Sequence, residues 1–447
     1  MNDEIPSRRI FLATTAALGI AARAETRADS VAESLVPETP PLSRTRPAKL
    51  SLKHRKPLAC LTTVYRPLSH AYHIAGRFIH GFALADRMHV PKQYIGTLFA
   101  HQEPDNDLSR DICKEFSIKH ARSIEEALTT GSKLAVEGVL LIAEHGNYPL
   151  NDKGQLLYPR YEWMEEIVRV FKKVGRAVPV FCDKHLSYSF ARAKRMLNWA
   201  KELGFPLMAG SSLPLVWRRP ELEPRLETPF EDGLVACYGP IEIYGFHALE
   251  TLQTMLERRK GGETGVKSVQ CLLGKEVWKA GDTGRWSWDL LEAALAKSET
   301  VNPGDIRHNV GTMRVLGHPV VPPTAFLIEY RDGTRGTVLL LNGHIRDFVF
   351  AGKIKGEKKP AACRFLLPDP PGARFFDAQV LALEKFFDTG KAPVPIERTL
   401  LTTGILDAIM ESHHRKGQKI DTPELEVRYT ASADSGFVRG PLAEGVS

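Results

Sequence analysis

Four short stretches of this chain carry side chains that can move a proton or hold an anion. Asp183-Lys184-His185 follows the apolar run 178–182 directly. A lysine at the carboxyl end of a parallel strand sits where ligands bind in such sheets, and its ammonium can polarise a substrate hydroxyl or hold a cofactor ribose. His247 lies near the start of a helical stretch that runs through Leu256, with Glu250 three residues on. An imidazole that titrates near neutrality takes a hydroxyl proton, and a carboxylate orients it. Glu144-His145-Gly146-Asn147 also ends a strand-like run. The turn Thr63-Val64-Tyr65-Arg66-Pro67-Leu68-Ser69 leads into a helix start, where Arg66 and Ser69 can hold phosphate through charge and amide dipoles. The plain alternatives are a surface lysine in a loop and a helix-start histidine satisfied by backbone. With Tyr65, His70, Tyr72, His73 and His80 these stretches make a polar crevice with several imidazoles. Such donors also suit a divalent metal, but no pair has the H-x-x-x-H spacing of a metal helix, so a hydrogen-bonded pocket without metal is expected.

The elements that must position these residues are readable from periodicity. Between about 57 and 210, short apolar runs at 58–64, 94–99, 138–142, 178–182 and 206–209 alternate with amphipathic stretches at 72–84, 108–116, 161–173 and 187–203. This is the pattern of βαβ units, an α/β domain with a Rossmann-like, doubly wound parallel sheet. The pairing of 58–64 with 138–142 should therefore be parallel. After Ser211 the texture becomes alternating, with a strand at 268–273 and a hairpin, 325–330 and 337–341, around Asp332-Gly333. This predicts an α+β domain over 211–430 with a large, mostly antiparallel open sheet, closed by helices at 378–387 and 399–413 and followed by a tail over 431–447.

The chain holds 60 basic and 53 acidic residues, a formal net charge of +7, spread without one basic face. That argues against a nucleic-acid partner. The six cysteines are isolated, and Cys60, Cys182 and Cys271 lie in apolar runs as small buried hydrophobes. Ser7-Arg8-Arg9-Ile10-Phe11-Leu12, the apolar run 13–22 and Ala22-Arg23-Ala24 look like a twin-arginine export signal over 1–24, ahead of a Pro-rich leader over 25–56. The expected route is through the twin-arginine translocon to the periplasm or beyond.

The order of elements, the tract Glu397-Arg398-Thr399-Leu400-Leu401-Thr402-Thr403-Gly404-Ile405-Leu406-Asp407-Ala408 and Ile420-Asp421-Thr422-Pro423 resemble the Gfo/Idh/MocA-type oxidoreductases. Asp183-Lys184-His185 stands where that family has Glu-Lys-Pro. His247 and Glu250 match its His and distal acid, while Ile243 replaces the proximal Asp and Glu242 lies one residue earlier. The resemblance implies a Rossmann domain holding NAD or NADP, a second domain that walls the substrate and forms the oligomer interface, and a sugar, inositol or polyol substrate. It implies catalytic roles for Lys184 and His247, supported by Asp183, His185, Glu250 and His145. Thr63, Tyr65, Arg66, Ser69, Glu144 and Asn147 would then line the cofactor. The departure is the first turn, which has no glycine before Gly76 where G-x-G-x-x-G would stand. Nor does Phe99-Ala100-His101-Gln102 place an acid for the ribose. Three functions stay open: an NAD(P)-dependent oxidoreductase on a carbohydrate, a non-redox lyase or hydrolase of the same fold, and a binding protein without turnover.

Overall fold

The structure, a computed structural model, describes residues 50–84, 87–312, 320–368 and 371–440. The stretch 1–24 expected to be an export signal, residues 25–49 of the expected leader and residues 441–447 of the expected tail lie outside them. Strands β1 (Lys56–Thr62), β2 (Gln93–Ala100), β3 (Lys119–His120), β4 (Gly138–Ile142), β5 (Val180–Asp183) and β6 (Leu207–Gly210) form one sheet in the order β6-β5-β4-β1-β2-β3. Every pair is parallel, and β1 meets β4 from Leu58↔Gly138 to Thr62↔Ile142. Buried on both faces, β1 and β4 carry unbroken apolar runs rather than alternation.

Crossovers α1 (His70–His80), α2 (Ser109–Phe116), α3 (Ile124–Leu128), α4 (Arg160–Val174) and α5 (Phe190–Leu203) cover the sheet. The expected 72–84 helix begins two residues earlier, capped by the Ser69 hydroxyl on the Tyr72 amide, and it stops at His80. Gly81, at φ +72°, ends it, and Phe82–Leu84 turns into a short antiparallel pair with Arg87–His89.

The second sheet comprises β7 (Arg218–Arg219), β8 (Phe230–Cys237), β9 (Val266–Leu273), β10 (Thr324–Tyr330), β11 (Arg335–Leu340), β12 (Phe348–Ile354), β13 (Ala361–Phe365) and β14 (Ile420–Asp421). Its order is β7-β13-β12-β8-β11-β10-β9-β14, antiparallel throughout except for β8 against β11. The hairpin turns where Asp332-Gly333 implied, with Gly333 at φ +88° and the Asp332 carboxylate accepting from the Thr334 amide.

Alternation along β8 divides the packing: Val235 and Cys237 join the core shared with the first sheet, while Leu234 and Ala236 face a second core. α6 (Ile241–Leu256) and α10 (Ile396–His414) pack on the first side; α7 (Lys275–Asp282) and α8 (Trp288–Leu295), with Trp278, Trp286 and Trp288, cover part of the other. α9 (Phe375–Thr389) returns to α1. All six cysteines are free thiols and buried.

Candidate functional site

The strand order reverses between β1 and β4, and in an open parallel sheet the crevice at that point, beyond the carboxyl ends, is where ligands bind. The loops after β1, β4, β5 and β6 meet there. The Thr63 hydroxyl donates to the Glu144 carbonyl at 2.7 Å, joining the first two. His145 and Lys184 hold left-handed backbones (φ +69° and +62°), as does Leu68 (+61°). Each such non-glycine residue costs about 1–2 kcal/mol, and strain of this kind collects at functional sites. The Lys184 amide is held by the Gly210 carbonyl at 3.2 Å, which fixes the kink.

A buried charge cluster fills the floor. Glu144 accepts from Lys184 Nζ at 2.7 Å and from Arg160 Nη2 at 2.6 Å, with all three side chains at most 5 % exposed. Burial alone would raise the Glu144 carboxyl, but Lys184 and Arg160 hold it well below the usual range. Arg160 Nη1 lies 3.2 Å from His185 Nε2. Burial and that guanidinium keep His185 neutral, well below its ordinary value, with Nδ1 buried and unpartnered. Lys184 is thus an enclosed, paired ammonium rather than the loop lysine with little part in packing that its position suggested.

Two imidazoles are oriented above this floor. His70 Nδ1 lies 2.6 Å from Asp183 Oδ2, and Asp183 is buried. The carboxylate accepts a hydrogen bond from Nδ1–H, which leaves the Nε2 lone pair for a substrate; this is the base-and-orienter logic of a catalytic dyad. His247 Nδ1 lies 2.6 Å from the Ser211 hydroxyl, which also accepts from the Leu213 amide. Burial first, then the charges of Lys184 and His70, hold His247 neutral, well below its ordinary range. His145 stands edge-on to His70 at 5.3 Å and is pushed down to about 3, chiefly by burial and then by His70.

Glu250 departs from its expected role. Its carboxylate accepts from Thr402 at 2.6 Å, from Thr399 at 3.2 Å and from the Ser211 amide at 3.4 Å, so it reaches His247 only through Ser211. Gly210, at φ +126°, makes this possible: a Cβ there would meet Glu250 Oε2 at 2.7 Å. Glu242 turns to the Leu156 amide instead, at 3.0 and 3.1 Å. Burial raises its carboxyl to about 7, against the pull of that hydrogen bond. A carboxyl raised in the native state stabilises it below the unfolded value, and this contribution is lost as pH rises through about 7. Glu242→Gln should therefore melt higher than wild type at pH 8 and equally at pH 4; equal melting at pH 8 would refute the assignment.

The first turn decides the fit of a dinucleotide. Tyr65 is buried beneath it, and its carbonyl accepts from the Leu108 amide. Gln102 and Asn147, from the loops after β2 and β4, exchange two hydrogen bonds of 2.9 and 3.0 Å. His101 and Tyr148 add a third at 2.7 Å. Gly146 rests on the turn, where a Cβ would meet Gln102 Oε1 at 2.9 Å and Val64 Cγ1 at 3.3 Å. Because β1 lies between β2 and β4, these bonds close the path a pyrophosphate takes across the end of β1. A dinucleotide seated there would have to part the exposed bonds between Gln102 and Asn147. Arg66 nonetheless has no hydrogen-bond or ion-pair partner for its guanidinium among the described residues, and it acts on His145 electrostatically. Also among the described residues, no group of three or more His, Cys, Asp or Glu is placed to hold a metal ion.

Of the residues singled out from sequence, Lys184, Glu144, His145, His185, Asp183 and His247 converge, with Thr63 and Arg66 at the β1 rim. Ser69 is occupied as the α1 cap, Asn147 by Gln102, and Tyr65 by the core. The sequence reading missed the His70 pairing, Arg160 and Ser211.

No protein-family model matches this chain, and no curated protein matches it in sequence. Solved structures do match in three dimensions. A crystal structure of GenD2 from gentamicin A biosynthesis in complex with NAD aligns over 84% of this chain and 98% of its own, at 13% identity and a TM-score of 0.51. A probable dehydrogenase from Thermotoga maritima aligns over 83% and 99%, at 13% identity and a TM-score of 0.50. The chain has the two-domain fold of these proteins.

Proposed function

We propose that this chain is an exported enzyme that acts on a sugar, polyol or related carbohydrate by acid–base chemistry, on the fold of the Gfo/Idh/MocA-type oxidoreductases. The observation that carries this reading is the Asp183–His70 pair, which aims a proton acceptor over the strand ends beside the strained His145 and Lys184 loops. His70 Nε2 takes a proton from the substrate, Lys184 with Glu144 offers a fixed field at the reacting carbon, and neutral His247 serves a second hydroxyl. The closed first turn favours non-redox chemistry, a lyase or hydrolase step. Export agrees, because a protein outside the cytoplasm has no access to its nicotinamide pool.

A second reading, NAD(P)-dependent oxidation of the same class of substrate, is favoured by the unpaired Arg66 and by the likeness to the NAD complex of GenD2. It requires the exposed bonds between Gln102 and Asn147 to part, at about 1 kcal/mol each. A homo-oligomer through the second sheet would use the part of its face left half-exposed around Gln270, Leu327 and Glu329.

Native purification followed by denaturation separates the two readings. No nicotinamide should be released, and millimolar NAD or NADP should leave the melting temperature unchanged. Stoichiometric nicotinamide by absorbance and mass would establish the second reading.

A further inference from the structure

On the reading of this crevice as a carbohydrate site, we propose that its substrate carries an anionic group, foremost the carboxylate of an acidic sugar, and that Arg66 beside His145 receives it. The turn that carries Arg66 lies against the His145 loop: the Thr63 hydroxyl donates to the Glu144 carbonyl at 2.7 Å, and a Cβ at Gly146 would meet Val64 Cγ1 at 3.3 Å. Glu144 is already shared between Lys184 and Arg160, and Asp183 is taken by His70. Arg66 is therefore the cation at this rim left without a counter-charge among the described residues. A half-buried guanidinium keeps its donors in a fixed fork, and a carboxylate or sulfate meets that fork with two parallel bonds.

The turn is built to hold Arg66 in place. Its amide donates to the Ser69 hydroxyl at 3.3 Å and its carbonyl accepts from the Ser69 amide at 3.0 Å, so the residue is anchored on both sides. Next to it, His145 Nε2 is buried with no partner, and the imidazole is neutral because burial holds it near 3. A neutral imidazole with an unfilled nitrogen suits a sugar hydroxyl, not a second anion. The two residues together specify an acidic group and an adjacent hydroxyl, while the bonds joining Gln102 to Asn147 tie the neighbouring loops across the end of β1.

The test is a thermal-shift titration of the full chain with D-glucuronate, D-galacturonate and D-glucose 6-sulfate, against D-glucose, D-galactose and NAD. At least one acidic sugar should raise the melting temperature while the neutral sugars do not, and the arm that responds tells carboxylate from sulfate. Arg66→Gln should weaken that binding about tenfold or more, and Arg66→Lys should restore part of it. His70→Gln should still bind, so loss of turnover and loss of recognition are read apart. Equal shifts from neutral sugars, no shift from any acidic sugar, undiminished binding by Arg66→Gln, or an Arg66-dependent shift with NAD alone would each overturn the proposal.

Discussion

Glu144→Ala is expected to destabilise the protein by about 3–5 kcal/mol, because it leaves Lys184 and Arg160 buried side by side with no counter-charge. Burying one ion pair is often near neutral; removing the shared partner of two cations is not. Lys184→Met should cost less, since Glu144 keeps Arg160. Adding Lys184→Met and Arg160→Met to Glu144→Ala should recover much of the loss, which a simple cavity would not allow. The pH dependence has a definite sign. Glu144 is depressed in the native state from a reference value of 4.5, so its contribution is complete above that value and drains only as pH falls through the strongly lowered native one. Urea midpoints of these variants at pH 7 test the cluster. A Glu144→Ala midpoint equal to wild type would mean that these charges are solvated rather than enclosed.

On the proposed function, His70→Gln should reduce turnover by about 10²–10⁴-fold while changing stability little, since the imidazole borders the crevice and its pairing with Asp183 serves orientation. Asp183→Asn keeps the shape but can donate to Nδ1, which favours the tautomer with its proton on Nε2. Its loss in kcat should approach that of His70→Gln, with KM nearly constant. Product formation followed by mass spectrometry at saturating sugar gives both numbers. A His70→Gln enzyme with wild-type kcat would remove His70 from the chemistry and leave His247 with Ser211 as the base.

The parallel half of the fold was readable because β1 and β4 are apolar runs too short for helices, each followed by a stretch with helical spacing. β3 was not, since Lys119-His120 is two polar residues paired only through the end of β2. The helix end at Gly81 was missed because apolar Phe82 and Leu84 continue the spacing, while the backbone at glycine had already turned. At the site, strand ends marked Glu144, His145 and Lys184. The Asp183–His70 contact spans 113 positions, and only the order β5-β4-β1 brings its ends together. Glu250 shows the opposite failure: it lies on the same face of α6 as His247, and that spacing implied a pairing. Thr399 and Thr402 of α10, distant in sequence, turn its carboxylate elsewhere.

The six buried thiols give the molecule an internal clock. Cys60 and Cys182 sit in the first sheet, and Cys237, Cys271 and Cys363 in the second. Burial pushes Cys182, Cys271 and Cys363 up to about 12, so none is a thiolate near neutral pH. An alkylating reagent therefore reacts only when a sheet opens, and the order in which these sulfurs are modified reports which half of the molecule breathes first. On the proposed export route, the same enclosure would keep every sulfur out of mixed disulfides for as long as the fold holds.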